Sequence, residues 1–568
     1  MNQNLQTAYA LAYILEKKYN AMIANIKQSN DNFYVDFQCK RKFNTNDLLS
    51  LEKEIKRLSK SNPKIVFCLK DKKGLAKVKN KYLKYWANNT SKTKINCLKI
   101  DNSLFIFVGN KIISFKHINF LTLTNVSGAY WLDSAKNEQL QRISGYAFQN
   151  KNEFNAHQKL LKEIAERDHR KIGQELELFT FSNLAGQGLP MWLPNGVTIK
   201  NEVENYIHDV LIQQDYNFTQ TPVLGSVDLY KTSGHWFHYR KNMFPSFKIE
   251  NEELVLRPMT CPHHMLIYKS KPRTYHDLPF RLAEHAILHR YEASGALLGL
   301  ERVRGMQLVD THVIITNDQI LNEVLHCFNT ISICLKTFGI KIHSIDLSLH
   351  DPKDKEKFFD NEKLWKAAES ELEKCCKKLN FKYRKMVGEA AFYGPKIDFQ
   401  IKTALGHIIT ISTIQLDFLL PARFELVYRD ANNKVKTPIL IHGGIIGTFE
   451  RFMSILLEQT KGVLPLWLAP IQVILIPVDE KKHLKHCKKI ANDLKKQWIR
   501  VKIDDSDERL GKKIRNAQIK KIPYQIVVGD AEIKSNSISY REYGKQVVNK
   551  LAFKAFINKL VKQIDEKK

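Results

Sequence analysis

From Arg257 to His312 the chain reads RPMTCPHHMLIYKSKPRTYHDLPFRLAEHAILHRYEASGALLGLERVRGMQLVDTH. One cysteine, six histidines and a run of spaced arginines sit in a segment that also alternates apolar and polar residues. Alternation with period two limits such a run to strands buried on one face, and the glycines at 295 and 299 between two of them suit a hairpin loop. Arg290 and Glu292 in LHRYEASG and Arg302 and Arg304 in RVRG are then expected on the two strand-like runs that flank the loop. Such a hairpin presents several guanidinium forks to one polyanion, and Arg binds phosphate oxygens with a bidentate geometry that Lys cannot copy. Taken alone, the same arginines fit a solvated, salt-bridged hairpin better.

Whatever polyanion is bound, two familiar devices for holding a nucleotide are missing. No G-x-x-x-x-G-K-[ST] occurs, and no G-x-G-x-x-G follows a strand-like run. The formal net charge of +30 points toward a polyanionic partner, although a Lys excess spread through an Asn- and Ile-rich sequence also describes a merely solvated surface. No apolar run approaches the roughly 20 residues of a membrane-spanning helix, and the start, MNQNLQTAYALAYILEKKY, lacks the basic region and cleavage site of a secretory signal. Nine scattered cysteines form no CxxC pair, which fits a reducing cytoplasm.

A chain of 568 residues with 43% hydrophobic content can fill several cores. Residues 1–150 read as a small α/β unit, with helices in TAYALAYILEKKY and LLSLEKEIKRLSK and strands in KIVFCL, SLFIFVG and KIISF. Its chemistry is sparse, with His117 as its only histidine. A polar helical run over 151–178 is expected to link it to the domain beginning at 179. Over 179–469, strands outnumber the helices between them and are often consecutive, which predicts a largely antiparallel sheet flanked by helices. Residues 470–568 alternate strand and helix as a compact α/β domain whose basic helices suit either RNA or solvent.

Ten blocks then fall in a particular order: SGAYW, RDHRKIGQELELF, SGHWFHY, RPMTCPHH, LHRYEASG, RVRG, GEAAFYGPKIDF, TIQLDF with LPARF, IHGGIIGTFERF and LPLWLAPIQV. In that order they resemble the threonyl-tRNA synthetases, from about Ser127 to the C-terminus and weakly before it. The resemblance implies an α+β multidomain protein. Its parts would be a class II antiparallel sheet flanked by helices, a C-terminal α/β anticodon-binding domain, and an N-terminal α/β remnant of an editing domain. It implies a cytoplasmic homodimer, joined through a motif around Thr221-Pro222, that has no membrane association. Its partners would be ATP with Mg²⁺, L-threonine and threonine tRNA.

The same resemblance assigns residues. Arg290 and Glu292 would bind the α-phosphate and the adenine, Arg302 the triphosphate, and Arg451 in FERF the adenine and γ-phosphate. Cys261, His312 and His442 would hold one zinc ion per subunit, whose open coordination takes the amine and hydroxyl of threonine and so rejects valine. Asp310 would accept from the substrate, with Met259, Tyr393 and Lys396 lining the threonine and tRNA-end pocket. Gln415 would join that wall and is counted with the nucleotide contacts. His235 in SGHW would relay a proton from the ribose hydroxyl, a task suited to a group titrating near neutral pH. Arg515 and Glu532 are candidates for reading the anticodon.

Several positions depart from the family pattern. By the resemblance, the chain is expected to lack the small ubiquitin-like domain with which full-length bacterial relatives begin. The H-x-x-x-H of the editing domain falls near Thr7 and Leu11, and its C-x-x-x-H near Val108 and Ile112, so all four polar groups are replaced. Where the family reads R-x-F-x-Q-D-D-A-H this chain has RGMQLVDTH, placing Met306, Leu308 and Val309 at a phenylalanine, a glutamine and an aspartate. Gln307 is expected to point to the opposite face. Gly443 stands where the family has an arginine. These losses keep two other readings open: a weakened paralogue that binds tRNA or regulates, and a class II synthetase for another amino acid. Retention of Arg290, Arg302, Arg451 and the Cys261, His312, His442 trio argues against both.

Overall fold

The computed structural model describes all residues except 1–2, 29–31, 62, 108–114, 117, 135, 380 and 536. His117, Val108, Ile112 and most of KIISF therefore lie outside the described residues. The chain divides into two compact units, Met1–Glu163 and Ile164–Lys568.

In the first unit the helix Gln3–Tyr19 is buried on every side from Gln3 to Leu15, which explains why its apolar residues do not keep to one stripe. The helix Thr45–Ser61 buries only Leu48, Leu51, Ile55 and Ser59, the spacing of a single helical face. Two antiparallel sheets accompany them. One orders Met22–Gln28, Phe33–Gln38, Gln139–Phe148 and Phe120–Tyr130; the other orders Ile65–Asp71, Lys94–Ile100 and Ser103–Ile106. The linker helix expected over 151–178 is two helices, Lys151–Arg167 and His169–Glu175. The break falls at Asp168, whose backbone leaves helical geometry while its carboxylate accepts from Arg170 N as an N-cap.

The second unit is built on an eight-stranded sheet whose strands are numbered along the chain: β1 (Asn217–Phe218), β2 (Phe280–His289), β3 (Gly305–Ile315), β4 (Ile342–Leu349), β5 (Tyr383–Val387), β6 (Lys396–Lys402), β7 (Ile408–Asp417) and β8 (Ile439–Thr448). Their spatial order is β1-β2-β3-β8-β7-β6-β4-β5. The six inner strands pair antiparallel as expected, but both outermost pairings, β1 with β2 and β5 with β4, are parallel. Helices α1 (Pro194–Gln213), α2 (Cys261–Lys269), α3 (Ile320–Thr337), α4 (Glu362–Lys378) and α5 (Phe449–Thr460) belong to the same unit. One core cluster joins α1, α3, α4 and α5 to the sheet through Ile199, Val203, Ile331, Leu372, Phe399, Ile414, Ile441 and Phe452, all nearly inaccessible. That burial on one face leaves the other free for chemistry.

The C-terminal segment forms a five-stranded sheet in the order Val501–Ile503, Val473–Pro477, Tyr524–Val528, Ser537–Glu542, Val548–Ala552, parallel over the first three strands and antiparallel beyond. The last strand, VNKLA, alternates exposed and half-buried residues and was not legible in the sequence. Among the described residues, no helix is long and apolar enough to cross a membrane.

Candidate active site

Strand register assembles the site. His312 on β3 pairs with His442 on β8, His442 with Gln415 on β7, and Gln415 with Lys396 on β6. Residues that pair directly across a sheet project to the same face, so four candidates far apart in sequence form one transverse row. Cys261 enters beside it from the first turn of α2. The ligating atoms of Cys261, His312 and His442 all lie within 4.8 Å of one another, and all three residues are buried.

The two imidazoles face each other, His312 Nε2 lying 3.0 Å from His442 Nδ1. Each uses its other nitrogen elsewhere. His442 Nε2 bonds Asp417 Oδ2 at 2.9 Å, and His312 Nδ1 meets His264 Nδ1 at 2.8 Å. Burial, with His264 and His442 adding to it, drives His312 well below the usual imidazole range, so it is neutral and able to ligate. Burial, reinforced by the carboxylates of Asp310 and Asp417, pushes the Cys261 thiol well up; a cation beside it reverses that balance. One sulfur and two imidazole nitrogens, buried and convergent, are the kinds of donor that could hold a metal ion such as a tetrahedral zinc.

Around this trio, Tyr393 stacks on His442 with centroids 4.7 Å apart and donates to Gln415 Oε1 at 2.7 Å. Lys396 Nζ is paired with Asp398 at 2.6 Å. Asp310 accepts from Thr260 Oγ1, and its carboxyl is raised chiefly by burial. Met259 packs against the apolar cluster that contains Cys261 and Tyr393. His235 is fully buried, with Nδ1 2.8 Å from Ser233 Oγ and Nε2 3.7 Å from Cys261 Sγ. Burial first, then the neighbouring His442 and Arg290, push it down to about 3, which corrects the expectation of a group titrating near neutrality.

The arginines occupy a different part of the hairpin than expected. β2 and β3 pair from Phe280↔Ile314 to His289↔Gly305, so Arg290, Glu292, Arg302 and Arg304 all lie in the connecting loop. Arg304 donates from Nε to Glu292 O at 2.9 Å, so it braces that loop. Arg451, in the first turn of α5, donates to Glu301 O at 3.1 Å. Its guanidinium is lowered from its ordinary range, first by burial and then by the charge of Arg302, with Arg290 contributing. Arg451 thus lies in the field of Arg302 and Arg290, only partly offset by Glu301 and Glu292, a place suited to an anion. The loop is fixed from behind by His169, whose Nδ1 is 2.7 Å from Glu458 Oε1 and whose Nε2 accepts from Leu300 N at 3.1 Å. Both ring nitrogens of His169 are thus spent, so it has none left to ligate a metal beside Glu301 and Glu458.

The departures also resolve. Met306 packs with Ala286, Leu288 and Val303, with Leu308 alongside, whereas Val309 points into the main core. The missing carboxylate at 309 is therefore a core substitution. Gln307 faces away as expected, donating from Nε2 to Glu204 at 2.9 Å. In the first unit, Thr7 is buried with its hydroxyl on Gln3 O at 2.7 Å, and Leu11 belongs to the apolar core. Glu532 has both oxygens engaged, by Gly529 N at 3.0 Å and Ser539 Oγ at 2.7 Å, whereas Arg515 is exposed on the helix Leu510–Ile519.

Sequence reasoning missed Thr260, His264, Glu284 and Asp417. The doublet in CPHH and the acid in TIQLDF were the available signals, but neither says which partner the side chain meets.

Residues 245–460 match the family model described as "tRNA synthetase class II core domain (G, H, P, S and T)", and residues 472–563 match "Anticodon binding domain". A threonine–tRNA ligase of Ureaplasma parvum serovar 3 is 49% identical over 100% of this chain and 99% of its own length. One from Staphylococcus aureus is 44% identical over 99% of this chain and 88% of its own. A crystal structure titled as the RNA binding domain of threonyl-tRNA synthetase from Cryptosporidium parvum superposes with a TM-score of 0.66 at 36% identity, covering 70% of this chain and 98% of that one.

Proposed function

The chain belongs to the threonine–tRNA ligases of the class II synthetases, and from that membership we propose how its residues divide the work. The enzyme joins threonine to tRNA at the expense of ATP. In the first step the threonine carboxylate attacks the α-phosphate, an oxygen–phosphorus bond forms, and pyrophosphate leaves. Arg290, Arg302 and Arg451 hold the triphosphate, with Mg²⁺ accompanying the nucleotide. Cations already held together against their own repulsion favour the charge that builds on the transferring group. Glu292 and Gln415 complete the nucleotide contacts.

Cys261, His312 and His442 would hold zinc, and bound zinc supplies a Lewis acid for the amine and hydroxyl of threonine. The fit rests on their donor chemistry and convergence. Asp310, its charged form supported by the Thr260 hydroxyl against burial, accepts from the substrate amine or hydroxyl, while Tyr393, Met259 and Lys396 shape the pocket. His235, uncharged at neutral pH, serves the ribose hydroxyl as a hydrogen-bond acceptor and stores no proton. Arg515 remains a candidate for the anticodon; Glu532, with both oxygens occupied, shapes its own turn.

The first unit is an editing remnant, since Thr7 spends its buried hydroxyl on Gln3 O and Leu11 offers only apolar surface. The enzyme works as a homodimer through the segment around Thr221, in the cytoplasm, where its nine free cysteines suit a reducing medium.

The observation that carries this reading is the row of His312, His442, Gln415 and Lys396 with Cys261 beside it. Threonine-dependent exchange between ATP and pyrophosphate tests it, with serine and valine as controls. Exchange with threonine, less with serine and none with valine is expected; no exchange at high enzyme concentration overturns it. Metal analysis of the purified protein checks for one zinc per chain.

A further inference from the structure

Behind His312 a line of buried polar groups leads away from the site. His312 Nδ1 lies 2.8 Å from His264 Nδ1, and His264 Nε2 lies 3.0 Å from Glu284 Oε2. Glu284 also takes the Thr221 hydroxyl at 2.7 Å and Thr221 N at 3.2 Å, and pairs with Arg257 Nη2 at 2.9 Å. Arg257 in turn donates to Thr221 Oγ1 at 2.6 Å and to Ile287 O at 2.8 Å. His264, Glu284, Arg257 and His312 are each 2% exposed or less, so none of these contacts competes with water.

Donor and acceptor roles along this line can run in only one consistent way if His312 offers Nε2 to the site. Its Nδ1 must then carry the hydrogen and donate to His264 Nδ1, which leaves His264 Nε2–H to donate to the Glu284 carboxylate. Burial alone would raise that carboxyl, but the hydrogen bonds from His264 and Thr221 and the charge of Arg257 outweigh it, so Glu284 is anionic. An anion at the far end of a donor chain fixes the tautomer of the near imidazole and raises its basicity. His442 receives the same support directly from Asp417 at 2.9 Å. Among the described residues no carboxylate bonds the His312 ring, which reaches one through His264.

We propose that His264 is a positioning residue for the metal site: by passing the Glu284 carboxylate's hold on to His312 Nδ1, it sets the tautomer and ring orientation with which His312 binds zinc. It touches no substrate and acts through His312 alone. The relay also ties the site to Thr221, so the segment read as the dimer motif and the zinc ligand share one buried network. The inference rests on the zinc site proposed above.

The test measures zinc affinity of the full-length protein by competition with a chromophoric chelator, alongside the metal content of the wild type. His264→Leu removes both hydrogen bonds at similar volume and is expected to weaken zinc binding about 10–100-fold. His264→Gln keeps one acceptor and one donor on a planar group and is expected to restore most of the loss. Should the leucine variant not fold, His264→Asn takes its place: it is polar but too short to span His312 and Glu284, and it should weaken zinc binding as the leucine does. A folded variant lacking the relay that binds zinc as tightly as wild type overturns the inference, as does a glutamine variant as weak as the leucine one. Wild-type protein without affinity for zinc instead removes the metal site itself.

Discussion

Thr311 fills the space that any side chain at position 443 would need. A Cβ on Gly443 would lie 2.3 Å from Thr311 Oγ1, and that hydroxyl donates to Gly443 O at 2.8 Å. The two residues pair directly across β3 and β8, so the threonine of VDTH and the glycine of IHGG are one structural adjustment and not two separate losses.

Restoring the arginine alone should therefore fail. Gly443→Arg is expected to destabilise the protein by about 1–3 kcal/mol through overpacking. The same change in a Thr311→Ala background should cost less, a coupling of about 1 kcal/mol or more between neighbours. Denaturant melts of the four proteins in the cycle measure it; additivity would mean that the two sites do not share that space.

After burial, the charge of Arg302 lowers the Arg451 guanidinium. Arg302→Gln should leave the stability of the free protein within about ±0.5 kcal/mol or improve it, because the side chain is exposed and its loss relieves Arg451. The same change should raise the KM for ATP. Arg451→Gln should lower exchange activity by about 10²–10³-fold, as loss of one charge-stabilising donor does elsewhere. Exchange kinetics and thermal melts separate the two effects.

Glu450 carries a pH signature. It is 2% exposed, and burial, only partly opposed by the hydrogen bond from Gln307 N, raises its carboxyl from the usual 4.5 to about 7. Between those values the folded state binds more protons than the unfolded one, so this group's contribution falls as pH rises through the window and is lowest above about 7. Glu450→Gln keeps an acceptor for Gln307 N without the charge. Relative to wild type it should gain stability from pH 5 to pH 8, by on the order of 2–3 kcal/mol. A difference that is flat across that range would show the carboxyl to be ionised throughout.

Serine keeps the hydroxyl that zinc would recognise and lacks only a methyl, a difference worth about 1–3 kcal/mol. Serine misacylation of threonine tRNA is thus expected at a measurable rate. Purified protein incubated with seryl-tRNA should leave the ester intact; clear hydrolysis would show that the first unit still edits.

The sequence by itself determined many of the elements and the residue types that carry the chemistry. Period-two alternation marked β2 and β3, helical spacing marked Thr45–Ser61, and the ordered blocks from SGAYW to LPLWLAPIQV carried the family. Cys261, His312 and His442 were named from that resemblance alone, because nothing local links residues so far apart. Only the tertiary structure decided which residues meet. The register of β3 against β8, strands separated by more than a hundred residues, sets His312 beside His442 and Thr311 against Gly443. Local periodicity holds no record of a long-range register. The loop that gathers Arg290 and Arg302 near Arg451, the exile of Val309 to the core, and the burial that neutralises His235 and burdens Glu450 have the same origin. Each depends on what packs against a side chain, and a residue's neighbours in space are fixed by the whole sheet and not by its neighbours in sequence.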